Sequence, residues 1–109
     1  MEKAVLNDND HASIKFWFDT WSGHVASVDF NSARPMFEED VIGFGTWMDT
    51  VEGLDNLMDR QWKSIWPTIC DFRFMTETLQ IRVSPDRLFA IAVLVWDSTG
   101  FHKDGEPYP

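Results

Sequence analysis

Apolar and polar positions in this chain follow two rhythms, a helical one along the first two-thirds and a strand-like one after it. In "HASIKFWFDTWSGHVASV", Ile14, Trp17, Phe18, Trp21, Val25 and Val28 keep the i, i+3, i+4, i+7 spacing of one helical face. Asn9 or Asp10 is placed to cap its start. A second, short helix is expected in "NSARPMFEED", with Ser32 as cap and Pro35 in the first turn, where proline is tolerated. "VIGFGTW" then reads as a short strand interrupted by Gly43 and Gly45. The clearest helix follows, with Leu54, Leu57, Met58, Trp62, Ile65, Trp66 and Ile69 in helical register and Pro67 marking its end.

Two long strands complete the pattern, Asp71–Val83 and Arg87–Thr99, divided by the turn signal "SPD". The second is apolar on both faces: Leu88, Leu94 and Trp96 alternate with Phe89, Ile91 and Val93. Such a strand is covered on both sides, so helices take one face and a second subunit or another layer takes the other. The order predicts an α+β fold, helices packed on one face of a mostly antiparallel sheet. No repeat or linker-like stretch interrupts residues 1–109, which reads as a single domain.

Composition narrows the function classes. Hydrophobic residues make up 44% of the chain and aromatics 15%, with six tryptophans and nine phenylalanines, ample material for a core. The net charge of -9 repels phosphate backbones and anionic lipid, so neither nucleic acid nor a membrane surface is an expected partner. Cys70 is the single cysteine, which excludes an internal disulfide and a cysteine-rich metal site. The N-terminus has no basic-then-apolar signal pattern, and the apolar run Leu88–Trp96 is too short to span a bilayer, so a cytoplasmic protein is expected.

Candidate chemistry is sparse. Gly43 and Gly45 fail the dinucleotide fingerprint because position 48 is Met, and no Gly-Lys-Ser/Thr follows. They are better read as bending a strand or letting a neighbouring chain approach. No metal-ligand cluster and no nucleophile elbow is present, and Cys70 reads as a small buried hydrophobe. Trp17, Trp21, Phe44, Trp47, Trp62 and Trp66 are expected to converge on the interior, either as plain core or as the lining of an apolar cavity. Proton-transfer candidates are Asp19, Asp49, Glu77, Asp97 and His102. Asp49, just after the glycine strand and near a plausible pocket mouth, is the one to test first, whereas Asp19 lies off the apolar helical face. Glu77 shares a face with Met75 and Leu79 only if no bulge intervenes.

The segments "FEEDVIGFGTWMDTVEGLDNL", "RQWKSIWPTICDFRF" and "SPDRLFAIAVLVWDSTG" resemble the SnoaL-like branch of the nuclear transport factor 2-like superfamily, which is related to the ketosteroid isomerases. The resemblance runs from about His11 onward. It implies a cone, a curved sheet wrapped around a pocket that the helices close, usually dimeric through the sheet. Similar members continue with two more strands, so the resemblance implies a C-terminally short cone whose open edge is covered by a partner chain or strand exchange. The isomerase parts are not matched: Gly45 holds the place of the carboxylate base, and Trp17 and Trp21 stand on the face that offers a tyrosine.

The reading is a cofactor-free small-molecule-binding domain, a homodimer or strand-exchanged oligomer, with an aromatic, apolar pocket for a hydrophobic ligand. The alternative is a SnoaL-like cyclase, isomerase or dehydratase using general acid–base catalysis. The two differ in whether an ionisable group such as Asp49 points into the pocket.

Overall fold

A computed structural model describes residues 8–44, 49–101 and 105–106. Helix α1 (Asp8–Ala26) begins near the expected cap positions and carries the predicted stripe. Ile14, Trp17, Phe18 and Trp21 are half-buried on it and Val25 is buried. The chain leaves the helix through Val28, whose φ of 54° is in the left-handed region, while Asp29 N–H donates back to the His24 carbonyl. Positive φ is unusual for a β-branched residue, and packing of Val28 against the core is what compensates it here.

The second helix starts earlier than expected. Helix α2 (Phe30–Ala33) is capped by Asp29, whose carboxylate accepts from Ser32 N–H at 3.1 Å, so Ser32 lies inside the helix. Pro35 falls in the 3-10 turn that follows, Arg34–Met36. Strand β1 (Ile42–Gly43) is shorter than the segment anticipated and pairs antiparallel with β2 (Val51–Glu52), a strand too short to announce itself by alternation.

The tryptophan-bearing helix is irregular. Helix α3 (Leu54–Asn56), a π-helical stretch (Leu57–Trp62), α4 (Lys63–Ile65) and a 3-10 turn (Trp66–Thr68) follow one another directly. A π turn is wider than an α turn. It lets Leu57 and Trp62, five residues apart, both face the interior, where Trp62 is 2% exposed. The core gathers Val25, Ala33, Val51, Leu54, Leu57, Trp62 and Trp66.

Strands β3 (Ile69–Val83) and β4 (Ala90–Gly100) form a second antiparallel sheet. The hairpin turn is closed by Arg87 N–H to the Ser84 carbonyl at 2.9 Å, with Pro85 following Ser84. Asp86 accepts from the Ser84 hydroxyl at 2.6 Å and from Leu88 N–H at 3.0 Å. Both hydrogen bonds hold its carboxyl below the ordinary carboxylate range.

The long ladder is not straight. Its register shifts between Cys70 and Arg73, and again between Met75 and Gln80. Asp71, at φ 55°, marks the first irregularity. At the second, Thr78 Oγ1 donates to the Met75 carbonyl and accepts from Val95 N–H, standing in for a missing backbone partner. A bulge therefore intervenes at Glu77, and the simple face alternation from Met75 through Leu79 does not hold.

The fold is thus mixed helix and antiparallel sheet, as expected, but among the described residues the strands form two separate pairs rather than one sheet. Helix α1 packs on β3, fixed by Phe74 N–H to Ser22 Oγ (2.9 Å) and Thr76 Oγ1 to Asp19 Oδ1 (3.3 Å). The radius of gyration is 15.5 Å. A compact chain of this length has about 13 Å. The difference reflects the long hairpin, and the molecule extends 53 Å along its main axis.

Candidate functional site

Four of the six aromatic residues singled out above come together. Trp17 and Trp21 are one helical turn apart on α1, with ring centroids 5.3 Å apart. Phe37, just past the α2 turn, touches both at 5.3 and 5.0 Å and continues to Trp62 at 5.3 Å. Trp62 stacks on Trp66 at 4.7 Å, and Trp66 on Phe30 at 5.2 Å. In the other direction Trp21 reaches Phe74 at 4.9 Å, then Phe72 and Trp96. The result is one continuous network of rings that ties α1, the α2 turn, the π-helical stretch and the sheet together. Its edge-on and stacked geometries are those that aromatic quadrupoles favour.

Phe44 is not part of this network. It is 81% exposed, directly past the end of β1. Trp47 and Gly45 lie outside the described residues, as does His102. Sequence reasoning missed the linking role of Phe37 and Phe74. Phe74 alternates with Phe72 on a strand, a signal that was available, whereas Phe37 stands in a turn and had none.

The network holds one unsatisfied polar atom. The indole Nε1 of Trp21 is buried and has no hydrogen-bond partner among the described residues. Leaving a buried donor unpaired costs about 1–3 kcal/mol, so such an atom calls for an explanation. A ring face is at most a weak substitute acceptor, and the rings nearest Trp21 are Phe74 and Phe37, at 4.9 and 5.0 Å.

The acids behave differently. Asp19, Asp49, Glu77 and Asp97 are all solvent-exposed. Glu77 is held below the ordinary carboxylate range by its own backbone N–H and by Arg73, 3.2 Å away. The Cys70 thiol is half-buried, and burial followed by the neighbouring Asp71 pushes its pKa up, which disfavours a reactive thiolate.

Two clefts flank the aromatic network without entering it. One, of about 200 Å³, lies between the start of α1 and the hairpin end, lined by Asp10, Ile14, Val83, Arg87, Leu88 and Phe89. The other, of about 280 Å³, is bordered by the Arg34–Asp55 ion pair, Glu39 and Gly53. Among the described residues no group of three or more His, Cys, Asp or Glu side chains is placed to hold a metal ion, and no helix is long and apolar enough to cross a membrane.

No protein-family model, curated protein or solved structure matches the chain.

Proposed function

We propose that the chain is a small-molecule-binding domain of the nuclear transport factor 2-like type, taking an apolar ring compound that carries a hydrogen-bond acceptor. The observation that carries this reading is the buried, unpartnered Nε1–H of Trp21 within a continuous aromatic network. The ligand lies along the half-buried edge of Trp17, Trp21 and Phe37, and its acceptor receives a hydrogen bond from Trp21 Nε1–H once the rings part. The exposure of Asp19, Asp49, Glu77 and Asp97 favours binding over proton transfer, since a general base must reach the bound molecule.

The test is a tryptophan-fluorescence titration with naphthalene and with 2-acetylnaphthalene, which differ by one carbonyl. A net hydrogen bond of about 0.5–1.5 kcal/mol makes the ketone bind roughly 2- to 12-fold more tightly. Trp21→Phe abolishes that difference while leaving naphthalene binding near its original strength. Equal affinities in the parent protein, or a preference that survives Trp21→Phe, would defeat the reading.

A further inference from the structure

A ring compound that binds at Trp21 needs room, and the network around it is filled. Neither of the two clefts is lined by any of its rings. The rings about Trp21 stand between 4.9 and 6.4 Å away, the distances of direct packing. One of them must therefore leave before a ligand enters, and that ring sets the size of what can take its place.

Trp21 has two ring neighbours outside its own helix, Phe74 and Phe37, and they are held differently. Phe74 lies on β3, where its backbone N–H donates to Ser22 Oγ of α1 at 2.9 Å. Its ring is packed edge-on against Phe18 and Phe72, at 5.0 and 5.1 Å, so α1 would have to lift from the sheet to release it. Phe37 belongs to no helix or strand. It closes the Arg34–Met36 turn with an extended backbone, φ -126° and ψ 150°, and it is half-buried between exposed Pro35 and Glu38. The chain beyond it is fixed separately, by Leu54 N–H to the Glu39 carbonyl and Gly53 N–H to the Val41 carbonyl. Rotation about χ1 alone thus carries the Phe37 ring toward solvent while the backbone on both sides stays in place. Trp17 is also half-buried, but on a helix the preceding turn closes one of its three χ1 wells. Phe37 is also the ring that joins Trp17 and Trp21 to Trp62, so its departure opens a space walled by three indoles.

We infer that Phe37 is the internal occupant of the binding site, seated among Trp17, Trp21 and Trp62 in the free protein and displaced by the ligand. The inference rests on the ligand-binding reading above and narrows its ligand class. One flat ring of phenyl size takes the vacated place, and it carries an exocyclic acceptor such as a ketone for Trp21 Nε1–H. In a naphthyl compound the second ring lies outside, along the half-buried edge. The sign of one substitution separates this role from that of a wall. Removing a wall residue weakens binding, whereas removing a competitor strengthens it.

Phe37→Ala is expected to bind acetophenone roughly 10- to 150-fold more tightly than the parent chain in a tryptophan-fluorescence titration, the worth of burying one such side chain. Phe74→Ala deletes the same ring from the other neighbour of Trp21 and gives no such gain, which separates a displaced ring from any cavity left by truncation. A para-fluorophenylalanine label follows the ring itself in the intact chain. At position 37 its fluorine resonance moves toward that of the free amino acid on saturation with 2-acetylnaphthalene and gains the heavy-water shift of a solvated ring. At position 74 the label stays buried. Equal or weaker acetophenone binding by Phe37→Ala, a gain matched by Phe74→Ala, or a label at 37 that remains buried in the complex would each make Phe37 a wall. A ketone preference that depends on Trp21 but leaves the label at 37 buried sinks this inference alone, whereas loss of that preference sinks the ligand-binding reading. Should Phe37→Ala fail to fold, the label decides, and an intact chain that binds no naphthyl ketone then counts against both.

Discussion

Gly43 shows how a single residue's requirement can be chemical at first sight and steric in fact. A Cβ built on it would stand 2.7 Å from Leu57 Cδ1, inside any real contact distance. The glycine lets β1 run directly over a leucine that is itself buried in the core. Sequence reasoning rightly took it as a strand glycine rather than a phosphate loop, because the third glycine and the lysine of those motifs were missing. The identity of the approaching side chain was invisible, since it depends on how the π turn rotates Leu57. Gly43→Ala is expected to destabilise the fold by about 1–3 kcal/mol through overpacking, read from the urea midpoint. In a Leu57→Ala background, which carries its own cavity cost, the same glycine substitution should cost less, a coupling read from the double-mutant cycle. A neutral Gly43→Ala would mean that Leu57 has room to swing aside.

At the scale of elements, the long periodic segments were legible and the irregularities were not. The stripe on α1, the tryptophan helix and the β-hairpin each repeat their pattern often enough to be read. The π turn hides in a helical pattern because a five-residue spacing between Leu57 and Trp62 is masked by Met58 and Ile65, which keep the ordinary period. The β3 bulge hides because Met75 and Leu79 preserve alternation across it while the ladder skips. The early start of α2 has a plainer cause: Asp29, rather than Ser32, accepts the free N–H. The Ser32 side chain and then its backbone N–H hold the Asp29 carboxyl below its ordinary range, as Ser84 and Leu88 do for Asp86. Both groups ionise more readily in the folded chain than in the unfolded one. Their contribution is therefore full above the ordinary carboxylate range and is lost as the pH falls through their lowered folded values. Urea midpoints taken between roughly pH 5 and pH 3 should decline, and less steeply in an Asp29→Asn, Asp86→Asn double variant. An identical decline in the two proteins would assign the acid sensitivity to other carboxylates.

For the whole molecule, the α+β class was readable, but the division of the described strands into two separate antiparallel pairs was not. Sheet closure depends on which strands become neighbours, and apolar alternation says only that a strand has two faces to cover. The aromatic network covers one of them from α1, through Phe18, Trp21 and Phe74. Tryptophan count alone foretold rings in the interior but could not distinguish rings packed on one another from rings around a space.

The two ends of this architecture meet at one place. Arg87, held at φ 63° in the hairpin turn, donates to both carboxylate oxygens of Asp10 at 2.6 and 2.9 Å, across 77 positions of sequence. That separation is a statement about time. The hairpin closes a short loop and can form within microseconds, whereas the clasp must wait until nearly the whole chain has found its place. Asp10→Ala is accordingly expected to leave the refolding rate unchanged in stopped-flow measurements and to speed unfolding a few-fold. Slower refolding would instead put the clasp in the transition state. On the expected outcome, the contact that joins first helix to last hairpin is tied last and released first.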